Sequence, residues 1–319
     1  MMKHIGIFLV ILSSITACNA GGTKDGEPNE TETAVNDLVA EALRNMVFVK
    51  GGSFMMGDYV HIPISEGRYP AYWSHGMDSK PAHKVTLDSF HIGKYEVTFQ
   101  EYDVYATANN LPLPAGKYIG RKSITGITRF RKPDKPATKV SWQEARDYCH
   151  WLGRLTGLPF DLPTEAQWEY AARSRGRYVG FATDTGLADI GRNFPPFEEY
   201  GHPVGKFPPN PLGIYDMSAN VDEWVLDWYD EDYYQHSPEI NPTGPKTGTK
   251  KVVRGGSYLE SPGGSTVYGR KALEPDSRIY NQGFRCAINQ PTPIPQAHIP
   301  DDAEVEKALA PYLKPPAKP

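Results

Sequence analysis

The apolar residues of this chain fall in short runs separated by frequent turn signals, and one helical stripe among them is clear. Ala145, Tyr148, Cys149 and Leu152 stand at i, i+3, i+4 and i+7, which predicts a helix that buries one face and points Cys149 inward. That helix begins at Ser141-Trp142-Gln143-Glu144, where a hydroxyl three residues before a Glu can form a capping box. Thr98-Phe99-Gln100-Glu101 and Thr164-Glu165-Ala166-Gln167 have the same form, so three short helices are expected. Apolar runs at Met46 to Lys50, Lys84 to Leu87 and Val252 to Arg254 predict short strands. The mixture reads as an α+β domain whose surface is largely loop.

The two ends follow other patterns. Lys3 and His4 precede an apolar stretch from Ile5 to Leu12 and then small residues, the layout of an export signal. The stretch is too short to span a bilayer as a mature helix. Ile15-Thr16-Ala17-Cys18 resembles a bacterial lipobox, which predicts a signal peptide over 1–17 and lipidation of Cys18. The expected location is the cell envelope, and Asn19 after the cysteine favours the periplasmic side of the outer membrane by resemblance to sorting rules. Residues 18–44 are polar and acidic and read as a tether. A body is expected over 45–290. The tail, 291–319, has eight prolines in 29 residues and reads as extended or disordered, with only Asp301 to Ala310 able to attempt a helix.

Composition narrows the function classes. Of 319 residues, 39% are hydrophobic, enough for a packed core, while 30 Gly and 29 Pro favour ordered loop over long helix. The 34 basic and 38 acidic residues leave a net charge of -4, which provides no basic field for nucleic acid. With Cys18 lipidated, Cys149 and Cys286 remain as disulfide candidates in an oxidising compartment, or as two buried thiols.

Seven ordered blocks resemble the sulfatase-modifying-factor domain, the fold of formylglycine-generating enzymes. They are Met46 to Gly57, His91 to Thr98, Leu162 to Arg173, Asn210 to Met217, Asn220 to Trp224, Arg254 to Tyr258 and Gly283 to Ala287. The resemblance implies an irregular, loop-rich α+β fold related to C-type lectins, and a Cys149–Cys286 disulfide. It also implies what is missing. The enzymes hold copper with two thiolates, the first of them two residues after the RGGS-aromatic block, and thiolates suit cuprous ion as oxygen ligands do not. Here Glu260 stands at the first position and Ser265 near the second, so copper and formylglycine formation are not expected.

Other chemistry is still open. Glu260, with Tyr258 and Arg254, is the candidate catalytic set, as a general base of the kind suspected in relatives that oxidise siderophore precursors; the alternative is a solvated loop acid. His83, His91, His150 and His202 are scattered and read as structural. Asp216-Met217-Ser218-Ala219-Asn220-Val221-Asp222-Glu223 resembles the family's calcium loop, which implies Asp216 and Glu223 as carboxylate ligands and Ala219 and Val221 as carbonyl ligands. Ala219 stands there in place of a usual glycine, and Asp222 in place of a common aromatic. The expected function is a lipid-anchored protein that binds or scaffolds a protein or peptide segment in the envelope. The alternative is a cysteine-independent periplasmic oxidoreductase. A folded pocket around Glu260 favours the enzyme, and a flat aromatic surface favours binding.

Overall fold

A computed structural model describes residues 29–59, 78–116, 131–196 and 200–310. Cys18 and the segment read as an export signal lie outside them. No helix among the described residues is long and apolar enough to cross a membrane.

The expected elements form. Helices α2 (Phe99–Ala108), α3 (Trp142–Thr156) and α4 (Glu165–Ala172) begin at Thr98, Ser141 and Thr164, and all three capping boxes are present. The stripe of α3 is buried, Cys149 included. Strands β1 (Met46–Val49), β3 (His83–Leu87) and β7 (Lys251–Arg254) cover the three predicted runs.

Two regions depart from expectation. The polar segment read as tether holds a 15-residue helix, α1 (Glu30–Arg44), capped by Asn29 and Glu32. Its Leu38 and Ala42 are buried in one cluster with residues of α2 and α3. Four apolar positions, Val35, Leu38, Val39 and Ala42, have helical spacing within that polar composition and make one face adhesive. The tail is likewise ordered as far as 310. Phe48 donates its N–H to the His298 carbonyl and His298 donates to Met46, both at 2.8 Å, so the tail lines the free edge of β1. Ile294 is buried, and helix α5 (Asp302–Leu309), which stands where the tail is expected to be able to form one, inserts Val305 into the core while Asp302 pairs with Arg175 and Lys50.

One antiparallel sheet has the order β1-β4-β10-β5, with β4 (Phe90–Gly93), β5 (Phe160–Asp161) and β10 (Ala287–Ile288). Strand β2 (Gly52–Met56) pairs with β3. The third sheet, β8-β7-β6-β9, combines β6 (Asp222–Trp228), β7, β8 (Lys271–Leu273) and β9 (Gln282–Phe284), with β6 and β9 parallel. Cys149 and Cys286 are bonded, with their Cα atoms 5.7 Å apart. Closing a loop of 137 residues stabilises the fold by roughly 5 kcal/mol in the chain-entropy description.

Candidate functional site

At the end of β7 the chain turns sharply through Gly255 and Gly256, at φ of +99° and +76°. A Cβ on Gly256 would lie 2.3 Å from the Ser265 hydroxyl, so only glycine lets the following turn fold back this closely. The turn carries Ser257, Tyr258 and Glu260 and ends in a short 3-10 helix, Pro262–Ser265. Its counterpart is the sheet edge beneath, where β6 begins with Asp222 and β8 begins with Lys271.

Lys271 joins the two levels. Its Nζ donates to Asp222 Oδ1 at 2.6 Å and to Glu260 Oε1. Asn281 Nδ2 donates to Asp222 Oδ2 at 3.1 Å and to the Ser257 hydroxyl at 3.0 Å, which fixes the Asp222 carboxylate from its other side. Asp222 is buried, whereas the side chains of Lys271 and Glu260 keep 27% and 26% of their surface. Burial pushes Asp222 up to about 7, with Lys271 drawing it down and Glu260 pushing it further up. Burial alone would lower Lys271, but the two carboxylates outweigh that and hold it above its ordinary value. Two carboxylates thus share one ammonium. Glu260 Oε2 is buried beside Gly264, where a Cβ would come within 2.5 Å, and has no partner among the described residues; the same is true of the Ser265 hydroxyl.

The other two candidate catalytic residues are placed differently. Arg254 is fully buried and points away to α4, donating to Glu165 at 3.2 Å, to Glu169 at 2.6 Å and to the Val267 carbonyl at 2.6 Å. Glu165 also receives Arg270, and Glu169 receives Arg173. Arg254 is therefore a structural tie between β7 and α4 and is not grouped with Glu260. Tyr258 is 6% exposed and packs against Gly201, and burial pushes its phenol up to about 12. It walls the site without being set up as an acid at neutral pH.

The calcium quartet does not fit as expected. Both oxygens of Glu223 are taken by Arg285, at 2.6 and 2.7 Å, and Trp168 Nε1 adds a third donor at 2.9 Å. Asp216 accepts from the Gly205 N–H at 2.7 Å. The buried guanidinium supplies the positive charge that Glu223 would otherwise seek from an ion. Ala219, at φ +88°, adopts the left-handed backbone expected of the glycine it replaces; its side chain, with that of Val221, is buried in the core. Among the described residues no three His, Cys, Asp or Glu side chains converge as a metal site. Of the histidines, His83 packs on Tyr234, His91 accepts from the Ile294 N–H, His150 pairs with Asp161 and His202 meets the Pro203 carbonyl.

The arrangement of β6, β7, β9 and the RGGS turn can now be set against known proteins. The sulfatase-modifying factor enzyme 1-like domain matches residues 31–290. The chain belongs to this family. A sulfatase-modifying-factor relative, the formylglycine-generating enzyme of Streptomyces coelicolor, is 32% identical over 300 residues, covering 76% of this chain and 89% of that one. An inactive C-alpha-formylglycine-generating enzyme 2 of Mus musculus is 33% identical over 299 residues, covering 78% and 87%. The structure of PvdO from Pseudomonas aeruginosa superposes with a TM-score of 0.59 at 30% identity, covering 77% of this chain and 94% of PvdO. The family match begins at 31, so α1 belongs to the sulfatase-modifying-factor domain, as its packing on α2 and α3 requires.

Sequence reasoning found Glu260 and missed its partners. Asp222 had a signal, an acid at a position where the family commonly has an aromatic. Lys271 and Asn281 had none, because each is an ordinary polar residue beside a strand and acquires meaning only when the sheet order is known.

Proposed function

We propose that this chain is a lipid-anchored envelope protein, attached at Cys18, whose sulfatase-modifying-factor domain carries out cysteine-independent oxidoreductase chemistry on a small molecule, with Glu260 as general base. One observation carries the reading: Glu260 shares the Lys271 ammonium with a buried carboxylate, Asp222, so it is tied into a charged cluster and is not a lone loop acid in solvent. Formylglycine formation has no thiolate pair to run on, since Cys149 and Cys286 are bonded to each other.

A second reading, capture of a protein or peptide segment, is favoured by exposed Leu259, in the same turn, and by exposed Ile279 and Tyr280, just before Asn281 in sequence. One experiment separates the two. Envelope small molecules are compared by mass spectrometry from cells carrying the native chain, no chain, or Glu260→Gln. The enzyme reading expects a pair of compounds differing by two hydrogens whose oxidised member is lost equally without the chain and with Glu260→Gln. Identical profiles for the native and Glu260→Gln chains, with a cross-linked partner retained by both, would move the protein into the binding class.

A further inference from the structure

We propose that Asp222, Lys271 and Glu260 form one acid–base unit in which Glu260 meets the substrate and Asp222, through Lys271, stores the proton that Glu260 removes. The inference rests on Glu260 being the group that meets substrate, and it assigns two positioning residues beyond it.

The geometry gives the unit its direction. Asp222 belongs to the sheet: it opens β6, is buried, and is fixed by Lys271 on one oxygen and Asn281 on the other. Glu260 belongs to the turn, on the more exposed side of the same ammonium. Lys271 donates to both, and among the described residues it is the side chain that links the two carboxylates directly. The groups facing Asp222 are Lys271 from β8, Glu260 and the Gly256 N–H from the turn after β7, and Asn281 from the segment before β9. Among the described residues no second cation is seen against Asp222. A site with two carboxylates and one ammonium keeps one excess negative charge, and burial disfavours that state unless a proton neutralises it.

The transfer balances without any oxidant. A substrate N–H or O–H bond breaks and an O–H bond forms on Glu260. Lys271 first gives one N–H proton to Asp222, forming an O–H there, and the lone pair of the resulting neutral amine then takes the proton from Glu260 as that O–H breaks. Lys271 ends as the ammonium it began as, Glu260 is again a carboxylate, and Asp222 is a carboxylic acid. Return along the same path delivers the proton to product or solvent. An amine or phenol, which carries an N–H or O–H proton for Glu260 to take, is the substrate chemistry this unit suits.

The test uses the full-length protein and needs no substrate. Infrared difference titration from pH 5 to 9 follows the carbonyl band of buried carboxylic acids in the native chain and in Asp222→Asn, Lys271→Met, Lys271→Arg and Glu260→Gln. Asp227, also pushed up to about 7, contributes its own band, so the signal of interest is the part that Asp222→Asn removes. Lys271→Met should raise its midpoint by about one pH unit or more, Lys271→Arg should restore it, and Glu260→Gln should lower it. Asp222→Asn and Lys271→Arg also serve as folding controls, since each keeps the size or charge of the original. No band lost in Asp222→Asn, or a midpoint unmoved by both Lys271→Met and Glu260→Gln, overturns the unit. Coupled midpoints together with unchanged small-molecule profiles in Glu260→Gln cells would instead leave the unit standing and remove the enzyme reading.

Discussion

Single residues in this protein are decided by how their charge is compensated once buried. Glu165 pairs with Arg254 and Arg270, and at Glu169 the guanidiniums of Arg173 and Arg254 outweigh burial and hold the carboxyl below its ordinary value. Asp222 and Asp227 are less well compensated, and both are pushed up to about 7, by burial first. An acid raised in the folded state holds a proton that the unfolded chain has already released above about pH 4, so these two groups lose stabilising effect as pH rises from about 4 to 7 and add no further slope above it. We expect the Tm of the native chain to fall over that window, and Asp222→Asn and Asp227→Asn each to flatten the fall. Calorimetry at closely spaced pH values checks this; a slope equal to the native one in both variants would mean that neither carboxyl is held protonated. Glu260 was legible as a residue because a carboxylate at a thiolate position is conspicuous. What was not legible is the direction in which Arg254 points, since a strand residue faces one of two sides and only the position of α4 decides which.

At the level of elements, local rules were sufficient wherever the chain supplies its own partners. Thr98, Ser141 and Thr164 start helices because each box is satisfied within four residues, independent of the rest of the fold. Composition misled where a long-range partner decides. Residues 30–44 look like tether until α2 and α3 are present to receive Leu38 and Ala42, and the proline-rich tail looks unstructured until β1 offers an unpaired edge to His298. A single substitution tests the first case. Leu38→Asp places a charge in the buried face of α1, which should cost about 2–4 kcal/mol of its docking energy. Limited proteolysis should then cut within 30–44 while the body beyond Met46 resists. Equal resistance in the native and Leu38→Asp chains would show that α1 is held by contacts other than this face.

Across the whole molecule, the disulfide and the shared burial of α1, α3 and β9 make one body of the family domain, and its candidate site lies on the β8-β7-β6-β9 sheet. The order of those strands is the part of the fold that sequence could not supply: β8 and β9 lie on opposite sides of β7-β6, and this brings residues 222, 260, 271 and 281 together. With the proposed anchor at Cys18, an alkyne-bearing fatty acid should label the native chain. Cys18→Ser should lose the label and leave the membrane fraction, whereas a labelled Cys18→Ser chain would place the lipid elsewhere. The helical state of residues 30–44 then sets a distance. Ten residues separate Cys18 from the Asn29 cap, and eleven steps along the backbone at no more than about 3.6 Å each reach about 40 Å. Had the whole polar segment been a leash, the limit would have been more than twice as long. With that proposed anchor the domain would work within a shallow layer above its own bilayer, and whatever it acts on would have to enter that layer to be met.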